Sequence, residues 1–489
     1  MKRLLFYLPL VVLFAGCTKN LKENIVAKIP GEKTMLAKSE LLTASSDFKG
    51  MNWADPANNF NDNALVISGL NSSDSYATTA AKAINIVNAF KQRGANTIRI
   101  PINPPTTSSA WWNSYVGAID TAANSGMKVI IAYWEAYSSQ DGVVDNLTQF
   151  WAMWQAVVNR YSGNDNVYFE VFNEPHGYSL ANLNNLYADW LSHYPNVPRN
   201  RIMLDGAGYA GDVNGVGADS RFSSCLLSFH DYTWFEPNKH TSAEWETAIN
   251  ALAYPDRTVV TEFGVPMTTS VDYLAAPGSN VDATYYQGMT NGIRNRGIGC
   301  VYWPGLCTGD YYSITAVNGG TVTTTNISGL TRLQYAWGLT NITQPAATFD
   351  GNAWYKMISL LSGKAVDVYN SSTSNGGTIN QWAYWGGNNQ QWKMTDLGSG
   401  KFAITNRNSN KSLDTPSNSG GTGIIQWDYW GGVNQQWNII DIGFGYYQVM
   451  NVSSGMALDV NGGSTANGAS IIQWYWNAGG NQQWQIVKL

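Results

Sequence analysis

The tetrapeptide NQQW occurs three times near the end of the chain, at Asn389–Trp392, Asn434–Trp437 and Asn481–Trp484, 45 and 47 residues apart. A fixed period of this length means one small unit copied three times, no copy being able to bury its apolar face alone. A Gln-Trp pair precedes each copy, with its Trp at Trp382, Trp427 and Trp474, and an Asp stands earlier in each, at Asp367, Asp414 and Asp459. Short apolar runs broken by Gly-rich turns make each unit a set of short strands. The expectation is a three-fold all-β domain over 353–489, with Trp392, Trp437 and Trp484 meeting in one core.

Residues 45–343 follow another rhythm, in which short apolar runs alternate with amphipathic stretches. The runs are Lys49–Trp53, Asn96–Ile102, Met127–Trp134, the stretch entering Asn173-Glu174-Pro175 from Val167, Arg201–Leu204, Cys225–Asp231, Arg257–Glu262 and Gly299–Pro304. Between them, Ala80, Ala83, Ile84 and Val87 share a helical face closed by Gly94; Trp112, Tyr115, Val116 and Ile119 mark a second helix. Phe150, Met153, Trp154 and Val157 mark a third, and Leu183, Leu186, Tyr187 and Trp190 a fourth. Eight strand–helix units predict a (β/α)₈ barrel, the TIM barrel, so the chain is multidomain: a barrel followed by an all-β domain. A doubly wound open sheet competes, but no Gly-rich phosphate turn follows the first strand. In a barrel, chemistry gathers at the C-terminal strand ends, where Arg99, Asn173, Glu174, His230, Glu262 and Trp303 fall.

Net charge is −5 and 13% of residues are charged, so the chain lacks the basic footprint of a nucleic-acid binder. Trp (21) and Tyr (27) are abundant, and flat rings with neutral amides suit an uncharged, hydroxyl-rich ligand. Lys2 and Arg3 precede an apolar run, Leu4–Phe14, that is too short to span a bilayer and reads as an export signal. It ends Phe14-Ala15-Gly16-Cys17, which resembles a bacterial lipoprotein signal with Cys17 as the lipidated residue; ordinary secretory cleavage is the alternative. Thr18 after that Cys favours the outer membrane by the same resemblance. The divisions are therefore signal 1–17, tether 18–44, barrel 45–343, linker 344–352 and repeat domain 353–489. Cys225, Cys300 and Cys307 show no metal spacing; Cys300–Cys307 could bridge, although buried thiols are the plainer reading.

Two apolar strands ending in carboxylates, at Glu174 and Glu262, are the minimal equipment of a glycoside hydrolase. VFNEP, TEFG, TIRIPI, His230-x-Tyr232 and YWPG together resemble glycoside hydrolase family 5 over about residues 45–340. The resemblance implies Glu174 as acid/base, Glu262 as nucleophile, and Arg99 and Tyr232 as the groups keeping it ionised. It also implies Asn173 on a sugar 2-hydroxyl, His230 tuning the acid/base, and Trp303 flooring the reactive subsite. Where the family carries a His after the third strand, this chain has Tyr133-Trp134-Glu135, which makes Trp134 a substrate-side candidate. Glu135 and Glu170 are set aside as having no evident partner.

The tail resembles ricin-type β-trefoil carbohydrate-binding modules. That implies sugar contacts from Asp367, Asp414 and Asp459, stacking by Trp382, Trp427 and Trp474, and hydrogen bonds from Asn389, Asn434 and Asn481. No Cys is present to supply the disulfides common in such repeats. The function expected is an exported, retaining endo-β-glycanase on a polysaccharide (cellulose or β-glucan, mannan or xylan), monomeric, membrane-anchored through Cys17, with no metal or organic cofactor. The alternatives are an exo-acting or debranching glycosidase on the same barrel, or a non-catalytic glycan-binding lipoprotein.

Overall fold

The computed structural model describes residues 44–489, so the export signal and Cys17 lie outside the described residues. Eight strands pair in chain order, all parallel: β1 (Lys49–Trp53), β2 (Thr97–Ile102), β3 (Lys128–Tyr133), β4 (Val167–Glu170), β5 (Ile202–Asp205), β6 (Leu226–His230), β7 (Thr258–Glu262) and β8 (Gly299–Leu306). β1 also pairs with β8, which closes the barrel. Helices alternate with them: α1 (Tyr76–Gln92), α2 (Pro104–Ser108), α3 (Trp112–Asn124), α4 (Leu147–Tyr161), α5 (Leu180–His193), α6 (Val213–Gly217), α7 (Ser242–Asn250) and α8 (Val281–Arg296). After β8 a hairpin, β9 (Thr315–Asn318) and β10 (Thr321–Thr324), leads to α9 (Ile327–Ala336).

Alternation along the strands sorts the side chains. Ile98, Ile100, Val129, Ile131 and Phe169 point outward and join the helices in one continuous core. Inside, the barrel has two storeys. Ile130, Tyr168, Met203, Leu226, Val259 and Val301 form an apolar floor with Phe48. Next on the inward face, two residues on in β4 to β7, stand Glu170, Asp205, Ser228 and Thr261, joined by Asn52 and Arg99, all buried. The floor excludes water, and the polar storey above it becomes the base of the site. Below the floor, the Ser45 hydroxyl donates to the Pro255 carbonyl at 2.7 Å, and the Cys300 amide donates to the Phe48 carbonyl at 2.9 Å. A methyl on Gly299 would fall 1.9 Å from the Ser45 carbonyl, so the turn Ser45–Asp47 lies flush against the N-terminal end of the strands.

Three expectations are corrected. In α1, Ala83 and Val87 are buried with Thr79, Ile86 and Phe90, while Ile84 faces solvent, because the buried stripe runs 79, 83, 86, 90. β4 ends at Glu170, short of Asn173 and Glu174. Beyond it the Val171 amide donates to Met203 and the Asn173 amide to Tyr133, so the chain swings between its two neighbours and the alternation breaks. The expected linker 344–352 is paired: Ala346 bridges Ile440, the Asp441 amide donates to Pro345, and the Phe349 ring packs against Tyr355, Phe402 and Tyr447. Cys225, Cys300 and Cys307 are buried free thiols; Cys300 lies beneath Trp337, whereas Cys307 turns to Asp55 and Asn58.

The tail is a 12-stranded all-β domain beginning at Tyr355. Trp392, Trp437 and Trp484 are fully buried in its core, and each indole donates to a backbone carbonyl of its own repeat: Val366, Leu413 and Leu458. The Gln of each Gln-Trp pair is equally buried, and its amide donates to a carbonyl of the preceding unit around the three-fold: Gln381 to Ser464, Gln426 to Ser372 and Gln473 to Ser417, at 2.6–2.8 Å. These buried amides tie the repeats together where disulfides are lacking.

Candidate active site

Arg99 organises the barrel mouth. It is wholly buried, and its five N–H donors are all used: Nε on Glu170 at 2.8 Å, Nη1 on Asn52 at 3.0 Å and on Glu262, and Nη2 on Glu170 and on Asn173 at 2.7 Å. Burial opposes its charge, but the Glu170 and Glu262 carboxylates outweigh that and hold the guanidinium firmly protonated. Trp134 covers it, with the guanidinium carbon 4.4 Å from the ring centre.

Glu262 ends β7. A register shift between β6 and β7 brings it beside His230. One of its oxygens takes Arg99, and the other accepts from the Tyr232 hydroxyl at 3.1 Å. Burial raises its carboxyl, and the Arg99 charge opposes the rise. Glu174 lies just past β4 with φ +54, in the left-handed region. Its amide donates to Asp205 Oδ2 at 3.0 Å, which fixes that turn, and its Oε1 lies 3.1 Å from His230 Nδ1. Burial pushes the Glu174 carboxyl up to about 7 despite the Arg99 charge. Burial lowers His230 to about 4, so near neutral pH its ring is uncharged and hydrogen-bonds Glu174 and, through Nε2, Thr261.

One oxygen each from Glu174 and Glu262 and one nitrogen of His230 lie within 4.8 Å of one another. Glu170, Asp205 and His230 form a second such triad below. Both triads suit proton sharing better than a cation, since Arg99 already supplies the positive charge between the carboxyls. The cleft, about 280 Å³, is walled by Trp134 and Trp303, whose rings stack at 5.9 Å and 21°. Trp234, stacked on Tyr232 at 4.2 Å and 57% exposed, and Tyr311, 58% exposed, continue the aromatic wall outward.

All eight barrel residues expected at the site are therefore brought together. Glu170 was wrongly set aside: it holds two of the arginine's donors. Asp205, Asn52 and Trp234 were missed. Ile202–Asp205 is itself an apolar run ending in a carboxylate, the signal that found Glu262, so Asp205 was findable. Glu135 is buried against the Gly142 amide and burial raises it to about 7, but it is absent from the cleft lining.

In the tail, Asp367, Asp414 and Asp459 each accept from the expected Asn389, Asn434 and Asn481 at 2.8–3.0 Å. Trp382, Trp427 and Trp474 are about two-fifths exposed and abut glycine turns of the neighbouring repeat at Gly468, Gly376 and Gly420.

Residues 46–305 match the family model Cellulase (glycosyl hydrolase family 5), and 336–427 with 433–489 match the model for ricin-type beta-trefoil lectin domain-like proteins. The chain belongs to glycosyl hydrolase family 5 and carries a ricin-type β-trefoil domain behind the barrel. It is a glycoside hydrolase with a carbohydrate-binding module. No curated protein matches it. Among solved structures it is similar to the designed 3-fold symmetric protein ThreeFoil (48% identity over 29% of this chain and 100% of that one, TM-score 0.28). It is also similar to 1,3Gal43A, an exo-beta-1,3-galactanase from Clostridium thermocellum (37% identity over 29% of this chain and 31% of that one, TM-score 0.28).

Proposed function

We propose that the protein is an exported endo-acting β-glycanase that cleaves by double displacement with retention. The observation that carries this is the close approach of the Glu174 and Glu262 oxygens, within 4.8 Å. Retaining enzymes hold their carboxyls about 5–5.5 Å apart, whereas inverting enzymes leave room for a water between them. Glu262, paired with Arg99 and Tyr232, attacks the anomeric carbon while the proton on Glu174 passes to the departing glycosidic oxygen. A glycosyl ester forms on Glu262. Glu174, now ionised, takes a proton from water; the water oxygen bonds to the anomeric carbon and the ester bond breaks. Arg99 occupies Asn173 Oδ1, which leaves the Asn173 NH₂ to donate to a sugar hydroxyl. The exposed aromatic wall through Trp234 and Tyr311 supports endo action, because sugar units on either side of the cleaved bond find a ring to lie on.

The substrates are β-linked neutral polymers: β-glucan, mannan or xylan. The trefoil keeps polymer near the cleft by making engagement multivalent. The signal-like start and Cys17 support export and lipid anchoring, which mass spectrometry of the mature N-terminus tests. The anomer first released from an oligosaccharide, followed by proton NMR, tests the mechanism. The β-anomer is expected first; the α-anomer first would make the enzyme inverting.

A further inference from the structure

The three trefoil repeats share one scaffold but not one task. In the first, a methyl on Gly387 would fall 2.2 Å from the Trp385 ring and 2.5 Å from Asn389 Oδ1; on Gly432 in the second, it would fall 2.2 Å from Trp430 and 2.5 Å from Asn434 Oδ1. A bare glycine thus lets a ring edge close on the Asn that holds Asp367 or Asp414. Trp385 and Trp430 are 64% and 66% exposed, the most open tryptophans among the described residues. Asn389 Oδ1 is a buried acceptor with no hydrogen-bond partner beside that ring, as a site awaiting a hydroxyl donor requires. In the third repeat the equivalent of Trp385 is Asn477, whose Oδ1 stands where the ring edge would be, 2.9 Å from a methyl on Gly479.

The next position diverges in the same sense. Gly386 and Gly431 have φ of +83 and +85 and are exposed, but the third repeat carries Ala478 at φ +63, a backbone that resists a side chain. Ala478 is buried against Ala243 of α7 and Ile442. Around it, Trp476 Nε1 donates to Glu246 at 3.3 Å, the Thr241 hydroxyl donates to Gln483 Oε1 at 2.9 Å, and the Phe444 amide donates to the Gly278 carbonyl at 2.8 Å. The methyl that strains the turn is the one the barrel covers.

We infer that the trefoil binds neutral glycan through its first two repeats, with Trp385 and Trp430 as the outer rings of the two sites, while the third repeat is given over to holding the barrel. The inference rests on the trefoil being a sugar-binding domain and is independent of how the barrel cleaves. Asp367, Asp414 and Asp459 make the same Asn hydrogen bond, and Asp459 also accepts from Gln482 at 2.7 Å, so Asp→Asn should disturb the third repeat's folding at least as much as the others', and a smaller loss of binding there reports the site itself.

The test uses the full chain carrying Glu262→Gln, so that polymer is not consumed, in affinity electrophoresis against soluble xylan, mixed-linkage β-glucan, galactomannan and arabinogalactan. Asp367→Asn and Asp414→Asn are expected each to weaken the trefoil's share of binding to the best-bound polymer at least fivefold, Asp459→Asn less than twofold, and Trp385→Ala with Trp430→Ala to reduce the mobility shift to what the barrel cleft alone gives. Equal losses from all three Asp variants, or no shift with any polymer in the Glu262→Gln chain, would overturn the two-site assignment; the wild-type release of reducing sugar is read separately and judges the hydrolase alone. For the docking role, Ala478→Asp is expected to split one calorimetric unfolding transition into two and leave polymer binding unchanged. A transition pattern that Ala478→Asp does not alter would overturn it.

Discussion

The barrel mouth and the trefoil use opposite economies of side chains. In the barrel each group is unique: one Arg99 serves two carboxylates and two amides, and Glu174 relies on one hydrogen bond from its amide to Asp205. In the trefoil the scaffold contacts exist three times, from the core indoles to the Asp–Asn pairs. Uniqueness makes the barrel site brittle, because removing one member leaves buried partners unmatched. Repetition frees a copy to change task, as the third repeat does.

The contrast is sharpest for the catalytic pair. Glu262→Gln should lower kcat by about 10⁴-fold or more on any substrate and, with the Arg99 charge left to Glu170 alone, also lower the melting temperature, whereas Glu174→Gln should lower kcat most for poor leaving groups; steady-state kinetics and calorimetry check both. Within the trefoil, two tryptophans seven residues apart should behave oppositely. Trp437→Ala empties a fully buried site and should cost about 3–5 kcal/mol of stability by denaturant titration, whereas Trp430→Ala, at an exposed ring, should cost less than about 0.5 kcal/mol.

Asp205→Ala frees the Glu174 amide and should lower kcat by about tenfold to a hundredfold with little change in KM, while Asp205→Asn, which still offers an acceptor, should recover most of it. Full activity in Asp205→Ala would show that the turn at Glu174 holds without that bond.

Acidity should divide the domains. In the proposed mechanism Glu174 acts with its proton on, and burial raises its carboxyl to about 7, so kcat/KM should fall about tenfold per pH unit above that value. If Asp367, raised by burial to about 6, receives sugar hydroxyls as proposed, it does so ionised, so retention on polymer should weaken as pH falls below about 6. Hydrolysis of a short oligosaccharide and affinity electrophoresis, each across pH 5–9, separate the two trends.

The alternation of apolar runs showed all eight strands, and strand-end carboxylates pointed to Glu174 and Glu262. Glu170 was lost because strict period-two counting assumes that the strand continues through Asn173, and β4 stops first. Asn52 gave no signal, since an Asn inside a short strand is unremarkable until Arg99 is seen beside it. In the tail the triple spacing revealed the core tryptophans. It could not separate the roles of Trp382 and Trp385, because which ring abuts a neighbouring turn and which stands free depends on how repeats meet in space.

The turn at Ser45–Asp47 fits beneath the barrel floor, at the pole opposite the aromatic cleft. The first described residues thus enter the barrel from its blunt end, so the loops around the cleft are free of them and a long polymer crossing the mouth meets none of them.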